Sequence, residues 1–124
     1  MTNNTTISFN SITPKYSGDF SLAFLILKSY ILSRSQDFNI IINKFFCEDP
    51  GDIITSKIIS QNVDIIAFSA YIWNFEIITK VAKIIKEKKD AFIIIGGPDV
   101  TFNSKEVIEE NPFVDLVVQG EGEE

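Results

Sequence analysis

The sequence predicts an α/β domain, a doubly wound, flavodoxin-like sheet of five parallel strands, and three observations predict it. Five short strand-like runs are separated by segments with helical spacing, the signature of successive βαβ units whose right-handed crossovers make a parallel sheet. The later runs, Val63 to Ser69 and Ala91 to Ile95, are almost continuously apolar, as strands covered on both faces are. Turn residues such as Gly18-Asp19, Asp49-Pro50-Gly51-Asp52 and Gly96-Gly97-Pro98 punctuate the pattern. The strand order expected for such a chain is 2-1-3-4-5.

Taken in order, Thr6 to Ile12 alternates polar and apolar residues and reads as the first strand. The apolar segment at about 20–33, broken by Lys28 and Ser29, reads as a helix buried on most of its faces; it is too short for a bilayer span, which takes about 20 residues. Phe38 to Phe45 is the second strand. A short helix follows the Asp49-Pro50-Gly51-Asp52 turn, with Ile54, Ile58 and Ile59 on one face and Lys57 on the other. After the third strand, Asn74 stands at the N-cap position of a well-specified helix, with Glu76 in its first turn and Trp73 placed to staple onto Ile78. Phe75, Ile78, Val81, Ala82 and Ile85 form its apolar stripe, and lysines gather toward its C-terminal end. A fourth strand ends at Gly96-Gly97-Pro98, a weak helix falls at about 104–110, and Val114 to Val118 is the fifth strand.

Composition removes several classes of function. The 124 residues contain no histidine, which excludes Ser-His-Asp triads, Cys-His dyads and any imidazole ligand to zinc, cobalt or haem iron. A single cysteine, Cys47, excludes an internal disulfide, a CxxC redox pair or a self-contained iron–sulfur site; it reads as a small, half-buried residue beside Phe45 and Phe46 in a reduced, cytoplasmic setting. With 11 basic against 17 acidic residues the net charge is −6, so neither nucleic acid nor an anionic membrane is expected as a partner. The opening MTNNTTISF has neither the basic start nor the apolar core of a signal peptide.

In a doubly wound sheet the ligand sits outside the carboxyl ends of the strands, here the loops at 11–18, 69–74, 96–103 and 119–124. Ser69-Ala70-Tyr71-Ile72-Trp73-Asn74 combines a hydroxyl, two amphipathic aromatics and an amide, a mixture that suits a flat ligand with polar edges and equally suits a capped helix start. Gly96-Gly97 permits close backbone approach to a bulky group, or an ordinary turn before Pro98. Gly120-Glu121-Gly122-Glu123 is unsuited to cradling phosphate because its carboxylates repel the anion. Neither GxGxxG nor GxxxxGK followed by Ser or Thr occurs after the first strand, which argues against the common dinucleotide and nucleoside-triphosphate sites.

Three segments together, Ile65 to Asn74, Ile94-Ile95-Gly96-Gly97-Pro98 and Asp115 to Glu123, resemble the N-terminal cobalamin-binding domain of cobalamin-dependent radical SAM enzymes. That family includes methyltransferases and the anaerobic magnesium-protoporphyrin monomethyl ester cyclases. The resemblance implies that Ser69 lies against the nucleotide tail of cobalamin and that Tyr71, Trp73 and Asn74 line the corrin. It further implies that Gly96, Gly97 and Pro98 wall the tail and that Gly120 and Glu121 close the far edge. Thr13, Pro14, Lys15 and Tyr16 would contact the corrin or its amides.

Two departures shape that implication. Cobalamin mutases and methionine synthase carry D-x-H-x-x-G in the first loop; with Gly18 as its glycine, Thr13 and Lys15 occupy the places of the aspartate and the histidine. A protonated lysine has no lone pair for cobalt, so the lower face would be empty, water-ligated or held by the cofactor's own base. The C-x-x-x-C-x-x-C that holds a [4Fe–4S] cluster is also absent. The chain is therefore expected to be a cobalamin-binding module from a larger polypeptide, residues 1–124 forming one domain, not catalytic alone. A downstream radical SAM domain would supply the cluster, S-adenosylmethionine and the substrate pocket. A phosphoacceptor receiver is disfavoured because Ser69, Asn10-Ser11 and Gln119 stand where it needs aspartate, acidic residues and lysine. The alternatives are a flavodoxin-like flavin binder using Ser11, Thr13, Ser17 and Gly18, and a cofactor-free interaction domain of the same fold.

Overall fold

A computed structural model describes residues 5–13, 28–29, 38–69, 74–96 and 109–117. Five strands, β1 (Thr5–Thr13), β2 (Phe38–Phe46), β3 (Ile65–Ser69), β4 (Phe92–Gly96) and β5 (Leu116–Val117), form one sheet in the order β2-β1-β3-β4-β5. Every pairing is parallel, which is the order and sense that the βαβ pattern predicts. Two described helices join the strands, α1 (Gly51–Ser60) between β2 and β3 and α2 (Phe75–Lys88) between β3 and β4. Residues 28–29 and 109–110 are helical and fall within the two remaining predicted helices. Among the described residues no helix is long and apolar enough to cross a membrane.

The sheet separates two apolar clusters because successive side chains of a strand point to opposite faces. On one face Ile12, Phe45, Ile66, Phe68, Ile93, Ile95 and Val117 pack with Ile54 and Ile58 of α1 and with Ile78, Val81, Ala82 and Ile85 of α2. On the other, Ile7, Phe9 and Ala67 form a smaller cluster flanked by Phe38, Ile40, Ile42, Ile65 and Ile94. Fully burying one such side chain contributes about 1.5–3 kcal/mol, so the helix-covered face carries most of the described core. Helix α1 buries Ile54, Thr55 and Ile58 while Ile59 packs only in part. It stops where Asn62 takes a positive φ of 58°, a left-handed conformation that asparagine tolerates well.

Strand β1 departs from the simple reading of its alternation. Ser8 and Asn10, the polar members, are fully buried, on the same face as Ile12. Asn10 Nδ2 donates to Ser8 Oγ (2.9 Å) and to the Ala67 carbonyl (3.1 Å), and Asn43 Nδ2 donates to Asn10 Oδ1 at 2.8 Å. Asn43 and Gln61 close the network by exchanging amide bonds of 2.7 and 2.8 Å. Asn10 and Asn43 are direct partners in the β1–β2 register, so a one-residue slip would bury their amides without partners.

At the opposite edge of the sheet two aspartates serve the strand beginnings in the same way. Asp64 Oδ2 accepts the Thr6 N–H at 2.9 Å, and Asp115 Oδ2 accepts the Ile93 N–H at 2.9 Å. Lys86 Nζ of α2 meets Asp115 Oδ2 at 2.6 Å and the Ala91 carbonyl at 2.7 Å, tying the end of α2 to the starts of β4 and β5. This end of the sheet is closed by structure. The carboxyl end is where groups remain to be accounted for.

Candidate functional site

From β1 the chain goes to the edge strand β2 and then returns past β1 to β3, so the winding reverses between β1 and β3. In a doubly wound sheet a ligand crevice is expected at such a switch point, above the carboxyl ends. Four of the residues expected at the site are described, Thr13, Ser69, Asn74 and Gly96, and all four stand at this edge. Pro14, Lys15, Tyr16, Tyr71, Trp73, Gly97, Pro98, Gly120 and Glu121 lie outside the described residues. Thr13, expected in the first loop just beyond a strand of Thr6 to Ile12, instead ends β1, paired to Phe46.

Register shows what the edge is made of. Ile42, Phe9, Ala67 and Ile94 are successive partners across β2, β1, β3 and β4, forming an apolar row on the smaller-cluster face. Two residues further toward the carboxyl end, on that same face, come Lys44, Ser11, Ser69 and Gly96; Lys44 pairs with Ser11 and Ser69 with Gly96. The apolar Phe9, Ala67 and Ile94 thus give way across three central strands to two hydroxyls and a residue with no side chain. Ser11 and Ser69 are themselves 4% and 9% exposed. The strand ends on this face carry small polar residues beyond an apolar row, a sequence of groups that suits a bulky ligand with hydrogen-bonding groups on its periphery.

Thr13 is the last residue of β1. Its carbonyl accepts the Cys47 N–H at 2.8 Å, which anchors the backbone, but its Oγ1 is buried with no partner among the described residues. A buried hydroxyl without a partner costs about 1–3 kcal/mol, a cost that a hydrogen-bonding partner would relieve.

Asn74 occupies the N-cap position, its carbonyl accepting the Ile78 N–H at 2.9 Å, yet its side chain makes no capping bond to α2. Instead Nδ2 donates to the Ile12 carbonyl (2.8 Å) and to the Ser69 carbonyl (3.1 Å), bridging β1 and β3. The residue is 1% exposed. Asn74 thus stands at the expected N-cap position, while its long-range acceptor at Ile12 carries no local signal in the sequence.

Cys47, just past the end of β2, packs against the larger cluster. Burial, with the charge of Glu48 adding and its own backbone hydrogen bond opposing, pushes the Cys47 thiol up, so it stays protonated at neutral pH. Lys44 Nζ lies 5.7 Å from the centroid of the Phe46 ring on the edge strand, a cation–π distance. Among the described residues no group of three or more Cys, Asp or Glu side chains could hold a metal ion. Ser11 as part of the hydroxyl row and Lys44 at its end were not singled out for the cobalamin reading; the signal was the recurrence of small polar residues one register row beyond the apolar row.

The family described as B12 binding domain matches residues 22–124. A cobalamin-dependent radical SAM methyltransferase of Streptomyces tokunonensis is 41% identical over 61 residues, which are 48% of this chain and 9% of that protein. An anaerobic magnesium-protoporphyrin IX monomethyl ester cyclase of Cereibacter sphaeroides is 32% identical over 72 residues, 57% of this chain and 12% of that protein. The chain thus spans about a tenth of the length of these curated relatives. Among solved structures, a cobalamin-binding protein from Desulfitobacterium hafniense superposes with a TM-score of 0.68 at 17% identity, over 97% of this chain and 55% of the other; it shares the fold.

Proposed function

We propose that this chain, which belongs to the B12-binding domain family, holds cobalamin at the carboxyl edge of its sheet on behalf of a larger radical SAM enzyme. The observation that carries the reading is the family match from residue 22 to 124, which takes in β2 to β5. The residues fit the group: the orphan Thr13 hydroxyl and the Ser69 hydroxyl can serve the amides and phosphodiester around cobalamin. Gly96, with Ala67 and Phe9 below it, leaves room for the nucleotide tail. When bound, cobalamin supplies a cobalt centre for methyl transfer or cyclase-type chemistry. The chain's own residues bind and orient the cofactor and exclude water from its tail.

Pro14, Lys15, Tyr71, Trp73, Gly97, Pro98, Gly120 and Glu121 complete the site in this reading, on the resemblance of their segments to the family. The relatives' greater length and the single cysteine support a downstream domain of the same polypeptide that carries the [4Fe–4S] cluster and S-adenosylmethionine. A reducing cytoplasm suits the lone half-buried thiol. The experiment is to incubate the chain with hydroxocobalamin in the dark, with and without reductant, and to separate by gel filtration. Co-elution of the corrin absorbance with protein, with a shifted visible band, is expected. Corrin eluting wholly at the small-molecule volume contradicts the reading for this chain.

A further inference from the structure

The geometry points to Asn74 as a positioning residue that sets the width of the crevice without touching the cofactor, an inference that rests on the cobalamin reading above. Strand β1 runs on to Thr13 while β3 ends at Ser69. The β1–β3 pairing itself stops at Asn10 and Phe68. Beyond that point the Ile12 carbonyl faces the place that β3 has left, and Asn74 Nδ2 fills it. Its two hydrogens go to two carbonyls on two strands, Ile12 at 2.8 Å and Ser69 at 3.1 Å, so the side chain extends the ladder where the backbones part. An N-cap asparagine ordinarily accepts from the helix N–H groups through its oxygen; no such bond is made here.

The consequence is positional. The end of β1, the end of β3 and the start of α2 meet at one buried nitrogen. One acceptor belongs to the residue before Thr13 and the other to Ser69 itself, so both hydroxyls offered to the cofactor sit on backbone that Asn74 holds. Asn74 is 1% exposed, and both amide hydrogens are already given to carbonyls. This differs from the corrin-lining role that the resemblance implies for Asn74.

The test is Asn74→Asp in the full chain, compared with wild type for hydroxocobalamin affinity and thermal unfolding between about pH 5.5 and pH 8.5. The ionised aspartate is nearly isosteric but sets a carboxylate against two carbonyl acceptors; protonated, it restores one donation. Neither Asn74, Ile12 nor Ser69 titrates, so the wild type supplies the reference profile. At the higher pH the variant is expected to bind at least about tenfold more weakly, the worth of one charge-sensitive hydrogen bond, and to recover as pH falls. Its unfolding temperature without cofactor should approach the wild-type value over the same range. If the variant unfolds at the higher pH and refolds at the lower, circular dichroism reads the same result. A wild type that binds, beside a variant whose affinity and unfolding deficit do not change with pH, overturns the bridge. A wild type that retains no cobalamin while the variant's unfolding deficit still shrinks at low pH overturns the cobalamin reading instead.

Discussion

Replacing Thr13 by valine separates the demands of folding from those of binding. Valine keeps the β-branched shape that suits a strand and removes only the buried Oγ1, which has no partner among the described residues. In the chain without cofactor that hydroxyl is a net cost of about 1–3 kcal/mol, so Thr13→Val should raise stability by about 1 kcal/mol or more. For a domain of this size that is roughly 4 °C in Tm. With cobalamin bound the sign reverses, because the variant forfeits a hydrogen bond worth about 0.5–1.5 kcal/mol; added to the gain of the free chain this is a binding loss of about 1.5–2.5 kcal/mol, roughly ten- to seventyfold in affinity. The assay is thermal unfolding of both proteins with and without saturating hydroxocobalamin, alongside a binding titration. A Thr13→Val chain that is less stable without cofactor would refute the reasoning, since the hydroxyl would then be contributing to the fold. Unchanged affinity would remove Thr13 from the site.

Other substitutions test the scaffold. Partial burial pushes the Asp115 carboxyl up, but the Lys86 hydrogen bond, the Ile93 N–H and the Lys86 charge together hold it below the usual carboxylate range. Its contribution is therefore complete above the unfolded-state pKa of about 3.9 and is lost as pH falls through the lower folded value. Asp115→Asn should cost about 1–2 kcal/mol at neutral pH and flatten the acid limb of a urea-midpoint profile; a limb as steep as wild type's contradicts this. Asn10→Ala removes the acceptor of one Asn43 Nδ2 hydrogen, the other still going to Gln61, and the side-chain donor to the Ala67 carbonyl, and should lower stability by about 1–3 kcal/mol in denaturant titrations. Ile85→Ala, at a fully buried position of α2, should cost about 2–5 kcal/mol through the cavity it leaves. A change below about 1 kcal/mol would mean that α2 does not pack as described.

The sheet was legible because its signals are local. The apolar run from Val63 and the helical stripe from Phe75 to Ile85 announce their elements in single windows, and the right-handed crossover rule converts their alternation into a parallel order. Strand ends were read less well. Thr13 and Gly96, assigned to loops, are the last residues of β1 and β4, because register with a neighbour decides where a strand stops. The alternation in β1 suggested a strand with one polar face. Ser8 and Asn10 are instead buried, since their partners Asn43, Gln61 and the Ala67 carbonyl come from distant parts of the chain. Asn74 teaches the same lesson at the site: its position follows from local capping chemistry and its bonds from topology. Ser69 and Gly96 were legible as candidates through their motifs, and their direct pairing emerges only from the sheet.

The central claim is that cobalamin sits at the carboxyl edge, at the β1–β3 crevice, and hydrogen–deuterium exchange of the chain with and without hydroxocobalamin tests it most directly. Slowed exchange is predicted in the peptides that contain Thr13, Ser69 to Asn74 and Gly96 to Pro98, with no change around Asp64 and Asp115 at the other end of the sheet. Protection centred on Asp64 and Asp115, or a bound corrin that leaves the three carboxyl-end segments exchanging at their original rates, would contradict it.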